Sequence, residues 1–356
     1  MMAAIPSLRQ NPARKTVYWL MVITLVLAIV SVMGCSPATV DHPPIRILGV
    51  TYLGDLPTLV AKEQGIFARH GLTTEVTFEL SGKDNLEILH NGGTEFALMA
   101  PSPFVLDRLA DDGSSPEDAP VILANLVHST RLNQVVVLAE SGIRVAKDLP
   151  GRRVGLVRGT NADYLWWLLT GFHRLDINTI EIIDTPIDRL GDALITGTVD
   201  AAVIWEPWTT RLRETLGQQL QYLADGDIYT GQWVLVTTRR LVHEQPELCQ
   251  QVLMAYGDAI AFIEQFPQAA LQMHADHSGT SVDVLSDEPD LGLFTLTLNW
   301  SLLAELQQGI EWARAIQAEG ATRESNILSW IEAEPLRAVA PGAVGILSLT
   351  TKDTLP

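Results

Sequence analysis

The chain has 356 residues, 47% of them hydrophobic, which is enough to bury the core of one large domain or two of ordinary size and excludes a disordered chain. Its formal charge is −18, and the N-terminal segment carries three bases (Arg9, Arg14, Lys15) and no acid, so the remainder is near −21, an order of imbalance that a folded surface must carry. So acidic a surface excludes nucleic acid as a partner and charge-driven binding to anionic headgroups.

Taken in order, the first element is a targeting segment. Arg14 and Lys15 precede an apolar run, Val17 to Val32, that ends in Val32-Met33-Gly34-Cys35-Ser36. This is the basic, hydrophobic, small-residue layout of a secretory signal over residues 1–34. It resembles a bacterial lipobox with Cys35 as the lipidated residue, and residues 35–44, which contain several prolines, read as a tether. An uncleaved anchor is the competing reading, although about 16 apolar residues are short for a span. Either way the rest of the chain is expected outside the cytoplasmic membrane and held to it. With Cys35 acylated, Cys249 stands alone, so no intrachain disulfide is available, and its place in an apolar-periodic helix predicts buried filler.

From Ile45 the pattern alternates strand and helix. Ile45 to Val50 predicts a strand, and Asp55 followed by Pro57 predicts a capped helix running to about His70 and closed by Gly71. Leu72 to Leu80 predicts a strand, Ser81 with Asp84 a capped helix, Phe96 to Ala100 a strand, Phe104 to Leu109 a helix, and Val121 to Val127 a strand after the acidic loop from Asp111. A second round starts with the strand Gln134 to Ala139. It continues with Arg153 to Val157, a helix from Thr160, a strand Thr179 to Ile183, a helix Leu190 to Thr196 and a strand Ala201 to Trp205. Setting Asp200 on Glu95 superposes Leu194 on Leu89, Gly197 on Gly92 and Ala202 on Ala97, an offset of about 105 residues that suits two α/β lobes and not a solenoid. The expected sheets are mainly parallel. Residues 45–129 are expected in lobe 1, 130–236 in lobe 2, and 237–356 back on lobe 1 as a helical extension (Pro246 to Gln265, Pro267 to His277, Leu302 to Ala318).

Ligands of open α/β sheets lie beyond the carboxyl ends of the strands, where helix N-termini point. Those ends supply Thr51, Tyr52, Asp55, Ser81 and Ser102 from lobe 1 and Arg158, Gly159, Thr160, Asn161, Asp184, Trp205 and Glu206 from lobe 2; the crossings add Ser129 and Trp233. In Arg158-Gly159-Thr160-Asn161 the glycine admits close backbone approach, and first-turn amides with the guanidinium suit a small oxyanion, although a plain helix cap explains the same residues. Trp205 beside Glu206 suits an ammonium or a flat heterocycle, with Asp55 at the same end. Enzyme signatures are missing: there is no G-x-S-x-G elbow, Walker loop or H-E-x-x-H helix. His274 and His277 lack an obvious third ligand, so neither a metal nor a cofactor is expected, and Trp166, Trp167, Trp300 and Trp312 read as packing.

The runs Gly54-Asp55-Leu56-Pro57, Ala61-Lys62-Glu63-Gln64-Gly65-Ile66-Phe67, Asp148-Leu149-Pro150-Gly151-Arg152-Arg153-Val154-Gly155 and Gly197-Thr198-Val199-Asp200-Ala201 occur in one order between about Ile45 and Phe266. In these motifs the chain resembles the sulfonate, nitrate, taurine and thiamine-pyrimidine-precursor binding proteins of bacterial ABC importers. The resemblance implies a type II periplasmic-binding fold, two lobes joined by two crossovers, that closes on a small molecule without covalent chemistry. It also implies delivery to a membrane permease with its ATPase, by a monomer. Thr160 falls where that family contacts the sulfonate anion, and the cysteine-rich motif of the eukaryotic pyrimidine synthases is lacking. The implied ligand is a small oxyanion such as a sulfonate, nitrate or taurine. A pyrimidine or other heterocycle, and a solute sensor coupled to a membrane kinase, are the alternatives.

Overall fold

The structure, a computed structural model, describes residues 43–111, 113, 115–286 and 293–346. The signal segment, Cys35 and nearly all of the tether lie outside the described residues. Among those described, no helix is long and apolar enough to cross a membrane.

Two sheets organise the chain. The strands β1 (Ile45–Val50), β2 (Thr74–Glu79), β3 (Phe96–Met99), β4 (Pro120–Ser129), β10 (Gly231–Thr238) and β11 (Leu293–Thr297) form one sheet in the order β11-β4-β10-β3-β1-β2. The strands β5 (Asn133–Leu138), β6 (Arg153–Leu156), β7 (Glu181–Asp184), β8 (Ala201–Trp205) and β9 (Leu220–Tyr222) form the other in the order β7-β6-β8-β5-β9. The expectation of mainly parallel sheets is corrected here. Only β2, β1, β3 and β7, β6, β8 run parallel; β10 pairs antiparallel with β3 and β4, and β5 pairs antiparallel with β8 and β9. The reason is topological: each passage between sheets enters the second sheet from the far end and delivers a reversed fourth strand. All of β10 is hydrogen-bonded into the larger sheet, so the boundary expected at 236 falls inside a strand, and the passage itself runs between β9 and Gly231.

Helices fill the connections. After β1 comes α1 (Leu56–Glu63), which stops at Gln64 where Gly65 adopts φ 61°, so the helix expected to reach His70 is two pieces, the second being α2 (Ile66–Arg69). Next are α3 (Gly82–His90), α4 (Pro101–Ala110), α5 (Asn161–His173), α6 (Ile187–Ile195) and α7 (Trp208–Leu216). The C-terminal part holds α8 (Arg239–Glu244), α9 (Pro246–Gln265), α10 (Pro267–Ser278), α11 (Val282–Ser286), α12 (Trp300–Ala315) and α13 (Glu334–Val339). The apolar strands Phe96–Met99 and Ala201–Trp205 are buried throughout, as helices covering both faces require. Trp312 is sealed in the core, whereas Trp300, read as packing, is 63% exposed at the start of α12.

The same clasp ties the first strand of each parallel trio, β1 or β6, to its third, β3 or β8. Arg46 directs its backbone N–H and Nε to Glu95 Oε2 at 2.8 and 3.1 Å, and the Glu95 amide returns to the Arg46 carbonyl. Arg153 does likewise with Asp200 Oδ2 at 2.8 and 3.1 Å, and Asp200 returns its amide. The acids of the two clasps sit at the positions that the sequence offset superposes, and the arginines fall two residues away from it. A further tie joins the C-terminal helices to α7. There Arg211 donates to the Ser278 carbonyl, Arg213 to that of Val284, and the Ser281 amide donates to Glu214.

Candidate ligand-binding cleft

The approach of α3 to the larger sheet begins the site. Asn85, fully buried, directs its side-chain amide at the carbonyls of Leu48, Gly49 and Leu98, which end β1 and β3. A Cβ on Gly82 would lie 2.6 Å from Met99 Cα, so only glycine lets the first turn of α3 sit this close to the strand. Ser81 caps that turn by accepting the Asp84 amide. Gly82 and Lys83 then carry amide N–H groups that the helix itself cannot satisfy. From the smaller sheet, α5 is capped by Thr160, whose hydroxyl accepts the Ala162 amide and donates to the Val157 carbonyl at 2.7 Å.

Between these two helix ends lies a hollow of about 310 Å³, lined by Val50, Tyr52, Ser81, Gly82, Lys83, Ala100, Pro103, Thr160, Asn161, Trp205 and Trp233. Tyr52 and Trp233 pack with ring centroids 4.7 Å apart, and Tyr52, Trp205, Trp233 and Thr160 are each under 5% exposed. A buried chain of polar groups runs behind the wall: Asn161 donates to Asn133, which donates to the Tyr52 hydroxyl at 3.3 Å. Lys83 supplies the sole charge of the lining, reaches the Arg158 carbonyl at 3.4 Å, and so connects the two helix ends.

Of the residues expected at the site, Tyr52, Ser81, Thr160, Asn161, Trp205 and Trp233 meet in this hollow. Arg158 does not. Its guanidinium is 3.1 Å from Asp163 and borders a separate hollow beside Trp166, Trp167 and Arg174. Asp163, a buried carboxylate in the next turn, takes that guanidinium and the Gly159 amide as well. Gly159, with φ 73°, forms part of a groove next to Lys83 instead. Asp55 does not cap α1 through its side chain. Its carboxyl turns back to accept the Val50 amide at 2.7 Å and the Thr58 hydroxyl, and burial pushes its pKa up to about 8. The Trp233 indole also faces this carboxyl but falls outside hydrogen-bond geometry. Glu206, 5% exposed, accepts the Thr210 amide and hydroxyl at the start of α7. Asp184 accepts the Arg158 amide, Thr51 lies 3.4 Å from His277, Ser129 accepts the Arg131 amide, and Ser102 is buried in the first turn of α4. These six lie off the lining.

Lys83 escaped notice because Ser81-Gly82-Lys83-Asp84 reads as a cap. A lysine in the first turn opposes the helix dipole, and that oddity was the available signal. Among the described residues no group of three or more His, Cys, Asp or Glu is placed to hold a metal. His274, 2% exposed, is pushed down to about 3 by burial, and Cys249 is pushed up to about 12 by the same cause, which agrees with a packed and inert thiol.

A family model described as NMT1/THI5 like matches residues 55–270, more than half of the chain. The chain belongs to this family. A putative binding protein of Brucella abortus (strain 2308) is 23% identical over 244 residues, 67% of this chain and 73% of the relative. A putative aliphatic sulfonates-binding protein of Bacillus subtilis (strain 168) is 25% identical over 265 residues, 72% of this chain and 77% of the relative. The alkanesulfonate-binding protein SsuA from Xanthomonas axonopodis pv. citri bound to MOPS superposes with a TM-score of 0.70 at 19% identity, covering 83% of this chain and 100% of that one. The NMT1/THI5-like chain therefore has the fold of a periplasmic binding protein.

Proposed function

We propose that this chain captures a small oxyanion of the sulfonate or nitrate kind and presents it to an ABC permease and its ATPase. The observation that carries the reading is a closed hollow between two helix N-termini, one from each sheet, with Lys83 as the charge in its lining. The relatives above are binding proteins, and the cleft is read as one that releases its ligand unchanged. The chain acts outside the cytoplasm as a monomer, anchored through lipid on Cys35. The larger sheet, which includes β10, forms one lobe with the C-terminal helices and the smaller sheet, β5 to β9, forms the other, and the two passages between them serve as the hinge. Ser81 and Thr160 cap the two helices whose first-turn amides hold the anion with Asn161 and Lys83, while Tyr52, Trp205 and Trp233 enclose the rest of the ligand. The aromatic wall favours one second reading, a flat heterocycle of the pyrimidine-precursor kind.

Calorimetry against alkanesulfonates, taurine, nitrate and aminopyrimidines tests this. An anion is expected to bind. Lys83→Met is expected to weaken it about tenfold or more, since charge-assisted contacts are the strong ones, and Arg158→Met to change it less than about threefold by the same reasoning. Binding of a neutral aminopyrimidine alone, or loss with Arg158→Met and not with Lys83→Met, overturns the assignment.

A further inference from the structure

Resting on that reading, the chemistry of the lining narrows the ligand. Its polar side is small: the amides of two helix ends capped by Ser81 and Thr160, the Asn161 amide and one ammonium, which accommodates a single anionic group. Its other side is three aromatic rings, Tyr52, Trp205 and Trp233, each almost wholly buried. The lining contains no carboxylate. Of the three acids whose charge reaches Tyr52, Asp55 is committed to the Val50 amide and Thr58, Glu206 to Thr210 and Glu305 to the Tyr229 hydroxyl. An ammonium brought in by a zwitterion would therefore lose its water and gain no counter-charge.

We propose that the cleft selects a monoanion with a flat aromatic body, a one-ring aryl sulfonate or aryl carboxylate, over saturated and zwitterionic sulfonates. The ring lies among the two indoles and the phenol in offset or edge contacts, where its quadrupole complements theirs, and the acid group projects toward Lys83 and the amides of Gly82 and Lys83. The saturated ring of equal size fills the same volume but lacks the ring-to-ring attraction.

The test is competition calorimetry on the purified full-length chain in detergent with benzenesulfonate, benzoate, cyclohexanesulfonate, taurine and a neutral aminopyrimidine. Benzenesulfonate is expected to bind roughly fivefold to tenfold tighter than cyclohexanesulfonate, the scale of an aromatic pair, and taurine weaker than both. Trp205→Leu is expected to bring the aromatic-to-saturated ratio toward one. The ratio in the unaltered protein decides the matter even where that variant fails to fold. Cyclohexanesulfonate or taurine binding as tightly as benzenesulfonate overturns the aromatic selectivity and leaves the anion reading standing. The aminopyrimidine binding while every anion fails overturns both.

Discussion

In each sheet the first strand of the parallel trio is clasped to the third in the same way, Arg46 on Glu95 and Arg153 on Asp200, yet the helices that follow β1 and β6 do opposite things. In the smaller sheet β6 leads to α5, whose capping residue Thr160 faces the hollow. In the larger sheet β1 leads to α1, whose corresponding residue Asp55 is 1% exposed and satisfied from within. The task passes to α3, one connection later, with Ser81, Gly82 and Lys83. Repeating a backbone programme thus fixes where helix ends can stand. Individual side chains then decide which of those ends remains available to a ligand.

The largest expected departure between the halves is in their pH response. Burial raises Asp55 to about 8, well above the roughly 3.9 of an unfolded chain. The folded protein then keeps a proton that the unfolded one has released, so stability falls as pH rises from about 4 to about 8, by about 1.4 kcal/mol per pH unit for this group. Its counterpart Asp163 is also raised by burial, but the Gly159 amide and Arg158 oppose the rise. Urea midpoints between pH 5 and 8 are expected to lose one proton's worth of slope in Asp55→Asn and much less in Asp163→Asn. Equal slopes in the two variants would erase the contrast.

The clasps sharpen the likeness instead. Glu95→Ala and Asp200→Ala each remove bonds to a guanidinium and a backbone N–H, and each is expected to cost about 2 kcal/mol in denaturant unfolding. A cost confined to one of them would show that the two sheets share geometry without sharing its energetics. The smallest effects contrast two glycines in matching helices. Gly82→Ala pushes α3 off Met99 backbone atoms and is expected to cost about 1 to 2 kcal/mol and to weaken ligand binding. In Gly191→Ala the new methyl meets the movable end of Leu212 at 3.0 Å, and the gain in helix propensity, up to about 1 kcal/mol, brings the change near neutral. Thermal melts with and without ligand separate the two.

Much of this was legible in advance, for identifiable reasons. Strands such as Ala201–Trp205 and helices such as Pro246–Gln265 announce themselves because burial and periodicity act locally, and the offset between the halves survives at Gly92 and Gly197, which share positive φ near 70°. The short strands β9 and β11 were missed, since three or five residues at a sheet edge carry little pattern of their own. That Tyr52 and Trp205, at strand ends, and Trp233, at the return passage, line one hollow followed from topology. Arg158, Asp55 and Glu206 did not, because whether a charged group meets a ligand depends on partners such as Asp163, Thr58 and Thr210, and competition of that kind leaves no trace in spacing.

The grip of Arg211, Arg213 and Glu214 on the segment from Ser278 to Val284 bears on rates. A hinge made of two passages would let the halves part freely, but here a third attachment, on α7, joins the smaller sheet to the C-terminal helices. On the proposed hinge, widening the cleft would first break those bonds to main-chain atoms, and admission and escape of a ligand would both be slowed by the same small set of contacts. Affinity, a ratio of the two, need not register it; residence time will.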